Sequence, residues 1–130
     1  MIADTSFIID LMRSDQGAIQ KAQILTQENI PISVSAVTIF EIYVGISLSI
    51  RQGEEKSRVI NVMEGLPIIP LEMESAEEAG KIYAERRRSG ITTDPEDAMI
   101  AGICKFKKEA LLTRNTKHFS GIDGVEVENY

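Results

Sequence analysis

Four polar residues hold the chemistry open to this chain: Asp4, Glu41, Asp97 and Asn115. Asp4 ends the apolar start Met1-Ile2-Ala3 and is followed by two hydroxyl residues, Thr5 and Ser6. Glu41 is the only charged residue from Ala36 to Ile50, and an ionised carboxylate among apolar neighbours is costly unless it is paired or binds a metal. Asp97 has Ile100, Ala101 and Cys104 at i+3, i+4 and i+7, a small or apolar stripe that turns it inward. Asn115 follows the apolar run Ala110-Leu111-Leu112-Thr113. Hard oxygen donors in this number suit Mg²⁺ or Mn²⁺ rather than zinc. A water held on such an ion can attack a phosphodiester. Each residue also has an ordinary use. Asp4 or Ser6 can cap a helix, and Glu41 can lie on an exposed stripe beside Thr38 and Gly45. Asp94, Glu96 and Asp97 can complement a helix dipole, and Asn115 can be a turn residue.

Composition narrows the choices. The 130 residues are 43% hydrophobic, enough for one domain with its own core, taken as residues 1–130. One cysteine, Cys104, and one histidine, His118, build neither an internal disulfide nor a zinc site, and they fit a reducing cytoplasm. No charged segment with an apolar run behind it marks a signal peptide, and no apolar stretch has the length of a membrane span. Ser6 has no neighbouring histidine, no glycine-rich phosphate loop occurs, and no Asp-x-Asp follows the first strand. The net charge of −6 argues against a general nucleic-acid binder. Its distribution is uneven: residues 1–85 carry 6 basic and 13 acidic side chains, 86–118 carry 8 and 4, and 119–130 carry none and 3. A polyanion would therefore meet the later part, with Arg86 to Arg88, Lys105, Lys107 and Lys108.

These residues need elements to position them. Apolar patterning predicts strands at Met1–Ala3, Pro31–Ser35, Pro67–Leu71, Ala110–Thr113 and Val125–Val127, the last at an edge. Helices are predicted from Phe7, from Gln16 to about Asn29, from Ala36 to about Ser49, from Glu55 to Leu66, from Ser75 to Ser89, from Pro95 to about Lys108, and near Lys117 to Phe119. The helix at 36–49 is apolar on nearly every side and is predicted to be buried. Ser75 with Glu78 reads as a capping box, and Asp94-Pro95 as an N-cap with proline at the first helical position. Short apolar strands separated by helices call for a mostly parallel sheet covered on both faces. Asp4 and Asn115 then fall at strand carboxyl ends, where open α/β sheets bind ligands.

The motifs Ile2-Ala-Asp4-Thr-Ser-Phe-Ile-Ile-Asp10, Ser35-Ala-Val-Thr-Ile-Phe-Glu41 with Gly45, Asp97-Ala-Met-Ile-Ala101 and Leu112-Thr-Arg-Asn115 with His118-Phe119 resemble, in order and spacing, the PIN-domain family. Within it the chain resembles the VapC-type toxins of toxin–antitoxin pairs. The resemblance implies a three-layer α/β fold with a five-stranded, mostly parallel sheet between helices. It implies a Mg²⁺-dependent endoribonuclease, with Mn²⁺ as an alternative ion. Asp4, Glu41 and Asp97 match the family's metal-binding acids. Asn115 stands where the family often has a fourth acid, and Asp94 is near enough to assist. The implied partners are an RNA substrate, a small antitoxin and a second copy of the chain. A catalytically inactive PIN-like module that binds RNA or protein is the alternative. Thr5, Ser6 and Thr113 are predicted to hydrogen-bond the acids, and Arg86–Arg88, Lys105 and Arg114 to contact the RNA backbone.

Overall fold

The structure is a computed structural model that describes residues 1–130. Its elements run β1 (Ile2–Ala3), α1 (Thr5–Met12), α2 (Gln16–Gln27), β2 (Ser33–Ser35), α3 (Ala36–Ser47), α4 (Gln52–Met63), β3 (Ile68–Ile69), α5 (Met73–Arg88), α6 (Pro95–Lys107), β4 (Leu111–Leu112), α7 (Thr116–Phe119) and β5 (Val127–Glu128). Strands this short and apolar need cover on both faces, and parallel neighbours need helical crossovers to reach one another. The result is an all-parallel sheet in the order β3-β2-β1-β4-β5. β1 is central: Ile2 lies opposite Ser33 and Leu111, and Ala3 opposite Val34 and Leu112.

The pleat sends alternate strand residues into two cores. Ile2 and Leu111 pack with Ile82, Ile100, Ile103, Cys104 and Phe119 on one face. Ala3, Val34 and Leu112 pack with Phe7, Ile8, Leu25, Ile42 and Val59 on the other. The chain winds from β1 outward to β2 and β3, then returns to the other side of β1 with β4 and β5. The order thus reverses between β1 and β4. A crevice opens at such a switch point, outside the carboxyl ends of the strands. Asp4 follows β1 there, and Thr113, Arg114 and Asn115 follow β4.

Three local expectations are corrected. α3 is not buried all round: Phe40, Tyr43, Val44 and Leu48 are exposed, while Val37, Thr38, Ile42 and Ile46 face inward. Apolar composition did not distinguish an inward from an outward apolar stripe on one helix. α5 begins two residues before Ser75, with Glu72 as its N-cap. The Glu72 backbone N–H donates to the Ser75 hydroxyl at 2.9 Å, so Ser75 is the third residue of the helix, not its cap. Arg86 is buried, and its guanidinium donates to the Thr93 hydroxyl at 2.6 Å and to the carbonyls of Ser120 and His118 at 3.3 and 3.2 Å. It ties α5 to α7 and has no free donor face for RNA. Ser35 caps α3 as predicted, accepting from the Thr38 N–H at 3.1 Å, and Pro95 opens α6 after Asp94.

α5 and α6 pack closely because Gly102 has no side chain. A Cβ there would stand 2.6 Å from both the Ala79 nitrogen and the Ser75 carbonyl oxygen, closer than backbone atoms tolerate. Gly102→Ala is therefore expected to force the two helices apart and to destabilise the fold by about 1–3 kcal/mol, read as a lower urea midpoint. A midpoint equal to that of the native chain would mean that the two helices separate without cost.

Candidate active site

Asp4 leaves β1 at the sheet's centre and is buried. Two hydroxyls donate to one of its oxygens, Oδ2: Thr113 at 2.7 Å and Ser6 at 3.1 Å. Both hydroxyls are themselves held. The backbone N–H of Arg114 donates to Ser6 Oγ at 3.2 Å, and that of Asn115 to Thr113 Oγ1 at 3.0 Å. The turn after β4 is thus fastened through two hydroxyls to the carboxylate that follows β1.

Glu41 reaches the crevice from the second turn of α3. Its Oε1 accepts from Thr5 at 2.7 Å. Thr5 Oγ1 also lies 3.2 Å from the hydroxyl of Thr38, which is fully buried. Because the single Thr5 proton goes to the carboxylate, Thr38 is the donor in that second pair. Burial pushes the Glu41 carboxyl above the ordinary glutamate range. The Thr5 hydrogen bond opposes this, and the charges of Asp4 and Asp97 add to it.

Asp97, in the first turn of α6, accepts on Oδ2 from, or donates to, His118 Nδ1 at 3.1 Å. Its carboxyl is also raised, first by burial and then by the charge of Asp4, against the hydrogen bond to His118. The His118 contact crosses 21 residues, and no local spacing signals it. The charge of Asp4 is felt as far as the Cys104 thiol, which burial foremost pushes up to about 12; this cysteine is core, not nucleophile.

The three acids share one pattern. Each spends one oxygen on a neighbour, and the other makes no hydrogen bond within the chain. No buried side-chain oxygen in the chain lacks a partner, so these second oxygens are not sealed from solvent. No three acidic, histidine or cysteine side chains stand close enough to close directly around an ion. The donor set nonetheless fits a hard divalent cation that keeps most of its waters. It is all oxygen, it has free lone pairs, and burial, with like charges adding to it, has already raised two of its members. Asn115 is exposed, and its side chain makes no hydrogen bond. Its backbone carbonyl accepts from the His118 N–H at 3.0 Å. Asp94 is exposed at the N-cap of α6 and makes no side-chain capping bond.

The family model described as PIN domain matches residues 1–125. The chain belongs to the PIN-domain family. Among relatives, it is 26% identical to the tRNA(fMet)-specific endonuclease VapC of Shigella flexneri over 98% of this chain and 95% of that one. It is 27% identical to the protein of the same name from Salmonella typhimurium over 75% and 74%. Its fold superimposes on the solved structure of VapBC2 from Rickettsia felis bound to a promoter DNA fragment with a TM-score of 0.92, at 21% identity, covering 99% of this chain and 97% of that one. The five-stranded parallel sheet expected of a PIN domain is the one observed. Two features of this PIN domain escaped the sequence reading. One is the His118–Asp97 contact. The other is Asp10, buried on α1 and paired with Arg114.

Raised carboxyls carry a stability signature. A folded-state pKa above the unfolded value favours folding fully below the ordinary carboxylate range, and that contribution is lost as pH climbs through the raised folded value. Without a divalent ion, Glu41 and Asp97 therefore weaken the fold near neutral pH. Glu41→Gln, which can still accept from Thr5, is expected to melt above the native chain at pH 7 without metal and to lose that advantage below about pH 4. The check is paired thermal melts across pH. A variant less stable than the native chain at pH 7 would make Glu41 a structural acid.

Proposed function

We propose that this chain is a divalent-metal-dependent endoribonuclease and the toxin of a VapBC-type toxin–antitoxin pair. The observation that carries the reading is the set of three acids from β1, α3 and α6, each with one oxygen held and one free, at the switch point of the sheet. The relatives named as tRNA-specific endonucleases support an RNA substrate, with tRNA as the class to try first. Mg²⁺ is the ion best suited to oxygen donors that leave most of its waters in place, with Mn²⁺ next. We take the whole of residues 1–130 as one PIN domain acting in the cytoplasm; no helix is long and apolar enough to cross a membrane.

In this mechanism Asp4, Glu41 and Asp97 would hold the ion through their free oxygens, directly or through water. A bound ion supplies a water of lowered pKa and offsets charge on the scissile phosphate. The Ser6 and Thr113 hydroxyls fix the rotamer of Asp4, and Thr5 fixes that of Glu41. His118, against Asp97, orients that carboxylate as second-layer partners of metal ligands do. Asn115, at the end of β4, orients a ligand or water from the other lip. A small antitoxin and a second copy of the chain are the protein partners. The exposed apolar face of α3, with Phe40, Tyr43, Val44 and Leu48, supports such association, since contiguous apolar surface marks interfaces.

The test is cleavage of total tRNA by the purified protein. Cleavage is expected with Mg²⁺ or Mn²⁺, to stop in excess chelator, and to vanish in Asp97→Asn. Thr113→Val, which removes only a hydroxyl behind Asp4, is expected to cost about 10–100-fold in activity or metal affinity. Cleavage that persists in chelator would refute the metal mechanism. RNA binding with no cleavage under any divalent ion would leave an inactive binding module.

A further inference from the structure

We propose that Arg114 grips an RNA backbone phosphate beside the crevice, and that Asp10 and Tyr130 are its positioning pair; this rests on the ribonuclease reading above. An acidic crevice repels a polyanion, so the RNA needs cations near it. Most of the basic residues between 86 and 118 do not qualify. Arg86 is buried and spent on Thr93, Ser120 and His118. Arg88 pairs with Glu85 and Lys105 with Glu78. Lys105 and Lys107 sit at the far end of α6, and Lys107 is about 15 Å along the helix from Asp97 at 1.5 Å per residue. Arg87 lies on α5 and Lys108 caps the far end of α6, so only Arg114 and Lys117 lie on the segment that follows β4.

Arg114 alone is built in. Its backbone N–H is joined through Ser6 to Asp4. One terminal nitrogen of its guanidinium donates to both oxygens of Asp10, at 2.8 Å each. Asp10 is buried, while the Arg114 side chain is 54% exposed. The Tyr130 hydroxyl donates to Asp10 Oδ2 at 2.6 Å, and its ring packs edge-on against Phe7 with centroids 4.9 Å apart. Burial and the hydrogen bond to Asp10 both hold this phenol protonated, so it stays a donor. The Nε and second terminal nitrogen of Arg114 make no hydrogen bond in the chain. A guanidinium has five donors in a fixed fork. Here one prong is anchored and the other side is free, facing solvent next to the catalytic turn. That is the arrangement for bidentate capture of a phosphate with little ordering left to do. Lysine has no second prong to offer once Asp10 holds its ammonium.

The experiment measures two things on one set of variants. Steady-state cleavage of total tRNA with Mg²⁺ gives KM and kcat. Binding of a labelled mixed-sequence single-stranded oligoribonucleotide in the Glu41→Gln background, across a series of KCl concentrations, gives the salt slope. Arg114→Ala is expected to raise KM about ten-fold with kcat within about two-fold, because a contact away from the reacting atoms is made equally in ground and transition states. The slope should fall by about 0.7, the loss of one phosphate contact to a single strand. Arg114→Lys keeps the charge and keeps Asp10 paired, so it stays folded, and it should lose as much as the alanine variant. Asp10→Asn makes the protein less acidic yet should weaken RNA binding. Native KM and slope in Arg114→Ala, or tighter RNA binding in Asp10→Asn, would overturn the proposal while native cleavage still stood. Native protein that neither cleaves nor binds RNA would overturn both readings together.

Discussion

Everything in the crevice hangs on one buried carboxylate, Asp4. It emerges from the central strand, is almost wholly removed from solvent, and has no cation beside it within the chain. A charge so placed must be solvated by dipoles or be neutralised. The chain supplies two hydroxyls to one oxygen, and two backbone N–H groups stand behind those hydroxyls. The same bonds that solvate Asp4 therefore lock the turn after β4 in place. That turn carries Arg114 and Asn115 and leads into α7, whose His118 meets Asp97. Position in the crevice is passed from strand to strand through hydroxyl groups, not through packing alone.

The division of each carboxylate into a held and an open oxygen resolves a conflict. Like charges in one crevice favour separation, and in Glu41 and Asp97 they add to the burial that raises both carboxyls. Free side chains would rotate apart. Thr5, His118 and the pair Ser6–Thr113 stop them with one hydrogen bond each or two, leaving a fixed electronegative surface. A preorganised surface of this kind gains most from a cation when the cation arrives, because little has to move.

Strand and helix order and parallel character were legible, and the three candidate acids stood out, because each left a local mark. A charge stood alone in an apolar helix at Glu41, an acid closed an apolar strand at Asp4, and an Asp-Pro cap opened the helix of Asp97. The hydroxyl neighbours Thr5, Ser6 and Thr113 were legible from adjacency. What stayed hidden depends on pairs far apart in the chain. Arg86 reads as part of a basic run, yet it is spent inside on two carbonyls and a threonine; no periodicity separates a buried arginine from its exposed neighbours. Asp10 and Arg114 are separated by 104 residues and His118 and Asp97 by 21, so only the fold brings them together. The start of α5 was misplaced because Ser75 is a good cap by type, while Glu72 also caps by position.

The charge pattern takes on a different meaning once folded. A net charge of −6 is poorly suited to a polyanionic substrate, and a basic region at 86–118 reads as the remedy. In the folded chain half of that region's eight cations are engaged: Arg86 in a buried tie, and Arg88, Lys105 and Arg114 in ion pairs. Attraction therefore cannot come from a broad basic face. In the proposed mechanism it comes from a few cations placed beside the acids, with a divalent ion that would reverse the sign of the crevice itself. An acidic protein of this design would, in that mechanism, discriminate by condition: without the ion the crevice would repel RNA, and with it the same carboxylates would become the reason RNA is held there.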